Sequence, residues 1–349
     1  MNRERVSYAG KGVYIGIDVH REFLVASCVS EGCVVKSCRM PPKSEAVISL
    51  ISKYFSGAEI KTCYEAGYSG FWLHREVSAA GISNIVVHAA HVEIETNRVK
   101  TDKRDSKKLA EQLYAGRLRG IRIPTVEEED LRLLTRTREQ LVRKRRRVQV
   151  QIRMRLHQFG LVPEWLSGVI RPQHVTMVLD KIQAPALKMT LELMLSEWLY
   201  LVSKVKELDK KLVEYSKNDP LDKIYRSVPG VGPLTARILS YELGDMSQFR
   251  NERALFSFTG LTPGEYSSGN KICKGHISRQ GSSRLRHVLV EAAWKAVRKD
   301  KIMRESYERI AARRGKKRAI VAIARKLIGK VRAALIANEN YVINYKKAA

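Results

Sequence analysis

No run of apolar residues approaches the length needed to span a bilayer, which excludes a helical membrane protein. The first residues, MNRERVSYAGKG, lead into no apolar segment with a cleavage site, so nothing marks the chain for export and a cytoplasmic, nucleoid-associated protein is expected. Cys28, Cys33, Cys38, Cys63 and Cys273 are odd in number and show no CxxC spacing, which argues against both a disulfide framework and a zinc site. The eight histidines form no HExxH or similar grouping, so each reads as a surface or core residue rather than a metal ligand. A Walker-type phosphate loop is absent as well, so ATP is not the expected energy source. Acidic residues are in short supply: 36 Asp and Glu face 64 Lys and Arg, a formal net charge of +28 that speaks for a polyanionic partner, nucleic acid above all.

What is present is a soluble chain of 349 residues, long enough for two or three domains with ordinary cores. Three short segments rich in Val, Ile and Cys, VYIGIDVH, FLVASCVS and CVVKSCRM, read as a β-meander. A helix from Ser44 to Phe55, a strand (IKTCYEA), a helix (GFWLHREVSAAG), a strand (NIVVHA) and the helical RDSKKLAEQLYAGRL follow. A meander followed by alternating α and β is the order of the ribonuclease-H-like fold, though several other α/β folds share it.

From about Glu127 the pattern changes to two long amphipathic helices separated by a Pro/Gly-containing link, which predicts either an antiparallel coiled-coil arm used for dimerisation or an ordinary helical bundle. The first of them carries the run Arg143, Lys144, Arg145, Arg146 and Arg147, assigned to a nucleic-acid backbone. Further on, Pro229, Gly230, Val231 and Gly232 form a tight turn between short helices. It is similar to a helix-hairpin-helix module, in which Gly230 and Gly232 let backbone N–H groups approach a DNA phosphate. A glycine turn between packed helices has the same appearance. The expected domains are an α/β catalytic domain over 1–125, an arm over 126–218 and a mainly helical C-terminal domain over 219–349.

The acidic residues that do occur are placed suggestively. Asp18 ends the first expected strand and Glu65 the fourth, two strands that are neighbours in a ribonuclease-H-like sheet. Asp102 and Asp105, three apart in RVKTDKRDSKKLAEQL, share a helix face. As first-turn residues they suit the helix dipole, which is the plain reading. Joined with Asp18 and Glu65 they also make an oxygen-donor site for two hard cations, Mg2+ above all, spaced about 4 Å apart for phosphoryl transfer.

IGIDVH, YEAGYSGFWLHREV, RVKTDKRDSKKLAEQL, SVPGVGPLTA and FTGLTPGEYSSGNKICKGHISRQGSSRLRHVLVEAAW, in this order, resemble the successive motifs of the DEDD transposases of bacterial insertion sequences, relatives of the Piv-type DNA invertases. The resemblance implies a RuvC-like domain whose Asp18, Glu65, Asp102 and Asp105 hold the metal, a coiled coil, and a C-terminal transposase domain with a serine nucleophile. That serine is Ser268 by the family pattern, which keeps it directly before glycine, with Ser267 as the other candidate. Asn270 departs from that pattern, standing where many relatives have glycine. The partners implied are donor and target DNA, a non-coding bridge RNA, and further copies of the chain in a dimer or tetramer. A phosphoserine would conserve the energy of the broken bond without ATP, and a composite site, acids from one protomer and serine from another, is expected.

Three rival readings remain. A metal-dependent structure-specific nuclease would use the acids to activate water and leave the serine idle. A non-catalytic nucleic-acid-binding protein needs only the basic residues. An actin-like sugar kinase shares the IGIDVH start but requires later glycine-rich phosphate motifs that are absent.

Overall fold

In the computed structural model the described residues are 6–89, 92, 101–162, 170–268 and 273–344. They fall into two compact units, Met1–Ile123 and Pro124–Ala349.

The first unit is built on β1 (Gly12–Val19), β2 (Leu24–Ser30), β3 (Cys33–Met40), β4 (Glu59–Glu65) and β5 (Ser83–Val87). They form one sheet in the order β3-β2-β1-β4-β5. The meander pairs antiparallel, whereas β4 joins β1, and β5 joins β4, in parallel. Parallel pairing requires crossovers, and the helices α1 (Ser44–Tyr54) and α2 (Trp72–Ala79) supply them. Alternation along β1 divides its side chains between two faces. Val13, Ile15 and Ile17 are fully buried in a core shared with Val47 and Leu50 of α1 and Leu73 and Val77 of α2. Gly16, in the alternate set, lies against α3 (Asp102–Tyr114), and Tyr14 meets Tyr114 of that helix edge-on at 5.3 Å.

Among its described residues the second unit is helical apart from a two-stranded antiparallel ribbon, β6 (Pro263–Glu265) and β7 (Lys274–Ile277). Its helix α4 (Val126–Gln158) opens with a capping box: Thr125 Oγ1 accepts from the Glu128 N–H at 3.2 Å and Glu128 accepts from the Thr125 N–H at 3.0 Å. A short α5 (His174–Leu179) precedes α6 (Pro185–Lys217), whose Leu191, Leu195 and Trp198 are buried in one cluster with Ile152 and Leu156 of α4. Arg138, early in α4, pairs with Asp209, late in α6, so the two helices run antiparallel.

After α7 (Asp222–Ser227) and α8 (Pro233–Leu243), the helices α9 (Glu252–Thr259), α10 (Ser283–Lys299), α11 (Lys301–Arg314) and α12 (Lys316–Ala337) enclose a core of Leu239, Leu255, Leu289, Ala293, Ile323 and Leu327. The basic segment AARRGKKRAIVAIARKLIGKVRAALI is divided at Gly315, whose φ of 82° separates α11 from α12.

Ion pairs fasten the long helix to this core. Arg136 grips buried Glu242 of α8 through two bonds of 2.9 Å, and Arg284 of α10 reaches both Glu242 and Glu139. Burial pulls the Glu242 carboxyl upward, but the hydrogen bond from Arg136 and the nearby Arg charges outweigh it and hold the group below its ordinary value. Arg237, 1 % exposed, spans Asp219 and Asp222 with bonds of 2.6 Å each. Removing one partner from such a buried pair costs about 3–5 kcal/mol, so these charges fix the α7–α8 corner rather than await a ligand.

Candidate active site and its relatives

The acidic residues gather at one end of the sheet because of the parallel β1–β4 pairing. Ile17 lies opposite Tyr64, so Asp18 and Glu65 come next in register on adjacent strands. Helix α3 then brings Asp102 and Asp105 in its first turn. Thr101, the N-cap of α3, makes no side-chain cap bond, and the Asp102 carboxylate lies 3.4 Å from His20 Nε2. The same ring nitrogen is 3.0 Å from Asp18 Oδ2.

Asp18, His20 and Asp102 thus form a group whose donor atoms all lie within 4.8 Å of one another. Burial raises the Asp18 carboxyl above its ordinary range; His20 draws it back, and the charges of Asp105 and Asp102 push it up again. A crowd of like charges around a half-buried carboxyl is relieved by a cation, and two carboxylates with an imidazole are a donor set that a divalent ion accepts. Glu65 is exposed at the end of the neighbouring strand and stands outside this close group.

No familiar metal-ligand spacing distinguishes His20 from the other histidines; in the fold its Nε2 lies between Asp18 and Asp102, in a group that could hold a metal ion. The signal that could have found it is Asp-x-His at a strand end: residues two apart point to the same side, so Asp18 and His20 project together. His20 also stacks on Phe23 at 4.6 Å, and the Arg39 guanidinium lies 3.6 Å from the centre of that same phenyl ring. Tyr68, in the YEAGYSG loop, donates from its hydroxyl to the Val19 carbonyl at 3.1 Å, bracing the strand end beside Asp18. Burial pushes the Cys28 and Cys63 thiols up to about 12, so neither is a reactive nucleophile.

Gly16 is what lets α3 lie so close. A Cβ there would stand 2.2 Å from the Ser106 carbonyl oxygen and 2.4 Å from the Ala110 nitrogen, both backbone atoms of α3. Only displacement of the helix, with Asp102 and Asp105 on it, makes room. Gly16→Ala is therefore expected to leave a folded protein, overpacked by about 1–3 kcal/mol, in which any reaction run at this site slows about 10²-fold through misplacement of the first turn. Thermal unfolding and the rate, measured on one preparation, check this; a normal rate would show that the site does not depend on how α3 is seated.

In the second unit, Ser267 and Ser268 lie beyond β6, both exposed. The Ser267 hydroxyl donates to Glu265 Oε1 at 2.8 Å and accepts from the Cys273 N–H at 3.3 Å, closing the ribbon. Among the described residues Ser268 has no side-chain partner. Gly269 and Asn270, and with Asn270 the departure noted in the sequence, lie outside the described residues, as do Arg98 to Lys100 at the start of the aspartate motif. Arg143, Lys144, Arg146 and Arg147 are exposed on α4 and Arg145 is half-buried; Arg143 pairs with Glu139. Gly230 has φ 88°, and a Cβ would meet Lys295 Cβ at 2.6 Å and the Ala292 carbonyl at 2.8 Å, so packing against α10 already demands glycine there. Gly232 faces open space.

A mixed α/β sheet with carboxylates and a histidine gathered at one end, followed by a strongly basic helical unit, is compatible with an enzyme that acts on nucleic acid. Two family models refine this. One described as transposase matches residues 15–160, and one described as transposase of the IS116/IS110/IS902 family matches 222–308. Together they cover parts of both compact units, and the chain belongs to this transposase family; it is an enzyme of DNA transposition.

Relatives align over most of its length. The transposase for insertion sequence element IS1111A of Coxiella burnetii is 27% identical over 94% of this chain and 90% of its own. Putative transposase y4rJ of Sinorhizobium fredii is 26% identical over 90% of each. The transposase for insertion sequence element IS1533 of Leptospira borgpetersenii is 26% identical over 81% of this chain and 84% of its own. Among the described residues no helix is long and apolar enough to cross a membrane.

Proposed function

We propose that the chain cuts, exchanges and rejoins DNA strands through a phosphoserine at Ser268, with the sheet-end acids holding divalent metal, Mg2+ in the cell. The observation that carries the reading is the convergence of Asp18, Asp102 and His20 within 4.8 Å, with Asp105 close enough to act on Asp18. On this reading the first unit is a RuvC-like, ribonuclease-H-like domain, and Glu65 completes the acidic tetrad from the next strand. A bound divalent ion would supply Lewis-acid polarisation of the scissile phosphate. His20 holds the Asp18 and Asp102 carboxylates in place. Ser267 keeps the ribbon closed, which leaves the Ser268 hydroxyl to attack; the P–O bond to serine forms as the bond to the departing DNA hydroxyl breaks, and the reverse step rejoins a strand.

The acids and the serine belong to separate compact units. We infer a dimer or tetramer in which one protomer's acids and another's serine meet over one phosphate. The division of the second unit into a coiled-coil arm (126–218) and a strand-joining part with a helix-hairpin-helix-like corner (219–349) belongs to the same reading, as does guidance to donor and target DNA by a bridge RNA.

The run Arg143 to Arg147 serves to neutralise the backbone of that RNA or DNA. Replacing all five residues by Gln is expected to weaken binding and to lower the slope of log K against log salt by about 0.7–0.9 for each phosphate left without its cation. Arg143 contributes least, being paired with Glu139. Filter binding across a salt series tests this, and an unchanged slope would place the run on a merely solvated face. The function itself is tested by incubating the protein and its guide with donor and target DNA. Recombinants should form with Mg2+ and vanish with a chelator, and strand joining under excess chelator contradicts the metal-dependent reading.

A further inference from the structure

Within the second unit a groove of about 1680 Å³ opens between the β6–β7 ribbon, α9 and the α11–α12 pair. Sites for small molecules are commonly about 300–1,000 Å³, so this space suits a segment of a polymer. Its walls are chemically divided. Phe256, Leu261, Ile277 and Val321 contribute apolar surface, while eight Lys and Arg side chains line it against a single carboxylate, Glu252.

The cations crowd one another along α12. Lys326 is held below its ordinary value by burial first and then by the charges of Lys330 and Arg309, and its ammonium donates to Ser306 Oγ at 2.9 Å. The Lys330 ammonium is buried without a hydrogen bond, 3.7 Å from Asp300. Arg325 lies over the Phe256 ring at 4.9 Å, the pairing of guanidinium and aromatic surface on which nucleobases stack. A polyanion with flat apolar groups relieves the charge and covers the apolar wall at once. A duplex hides its bases, whereas a single strand offers both phosphates and bases. The ribbon that forms one wall also leads directly into Ser268.

We propose that this groove binds a single strand of DNA, bases against the Phe256 side and phosphates on the basic rim, and so delivers the strand to the serine-bearing ribbon. The proposal rests on the reading of the second unit as the strand-joining part, but its test needs no catalysis.

Full-length protein is titrated into fluorescein-labelled oligo-dT and into a labelled duplex, with anisotropy as the readout. Changing Lys316, Lys317 and Arg318 together to Gln should weaken oligo-dT binding about tenfold or more and lower the salt slope by about 2, near 0.7 for each of three phosphates. Ala322→Trp keeps every charge but narrows the groove; it should weaken oligo-dT about tenfold, a reduction typical of one or two unstacked bases, and leave duplex binding within about twofold. Circular dichroism and thermal unfolding confirm that both variants fold.

Unchanged oligo-dT binding by both variants overturns the proposal, as does equal weakening of duplex binding in Ala322→Trp. Oligo-U bound more tightly than oligo-dT, and weakened equally by the two variants, would make the occupant RNA and equally overturn it. Polyglutamate competing as well as oligo-dT of equal charge would reduce the groove to a non-specific anion surface. Ser268→Ala should bind oligo-dT like the wild type, so failure of the phosphoserine reading and failure of this one are told apart.

Discussion

Asp102→Asn is expected to abolish recombination while leaving the protein folded and bound to nucleic acid. The change removes one charge from the cluster at nearly constant volume, and Asp102 is half-exposed at 49 %, so the cost to stability is small. Its cost to chemistry is large. A divalent ion stabilises transition-state charge by several kcal/mol, and each 4 kcal/mol is about 10³-fold in rate. Asp18→Asn should be as severe, since Asp18 is the point on which His20, Asp102 and Asp105 all act. Ca2+ should support binding without chemistry. The check is a recombination assay at several Mg2+ concentrations: full activity of Asp102→Asn would return that aspartate to the plain role of a first-turn residue at the helix dipole.

Ser268→Ala should be at least as damaging, and selectively so. Removing the nucleophile of an enzyme that works through a covalent intermediate lowers its rate by roughly 10⁴–10⁶-fold. Assembly with nucleic acid should be untouched, because the side chain is exposed and has no partner among the described residues. Ser267→Ala supplies the contrast. It forfeits the bond to Glu265 and the acceptor for the Cys273 N–H, which frays the ribbon at a cost of about 1 kcal/mol. Appreciable activity should remain. The opposite pattern in the two mutants would make Ser267 the nucleophile, and recombinants from both would remove serine from the chemistry.

Much of the first unit is legible in the residue pattern. Period-two alternation and β-branched content mark five strands within a residue or two of their observed ends, and Asp18 and Glu65 fall at neighbouring strand ends because the β1–β4 pairing is parallel. Gly16 is not legible: a glycine inside IGID carries no hydrophobic signal, and its purpose appears only when α3 is found 2.2 Å from where its Cβ would be. His20 escapes notice for a related reason, since its partner Asp102 is 82 positions away and only the fold brings them to 3.4 Å. The groove cannot be read from the chain at all, because most of its charge comes from α12 and its apolar wall partly from α9 and β7. For Gly230 the pattern points toward DNA while the geometry supplies a packing reason, as turn glycines often serve close approach.

The most direct measurement is mass spectrometry of the peptide left on DNA. Wild-type protein is incubated with Mg2+ and donor DNA, denatured and digested with trypsin, and the nucleotide-linked peptide is fragmented. The expected result is a phosphodiester on Ser268, present in wild type and in Ser267→Ala, absent from Asp102→Asn and Ser268→Ala. Recombinant DNA formed with no protein–DNA linkage at any stage, or a linkage to another residue, would contradict the phosphoserine mechanism.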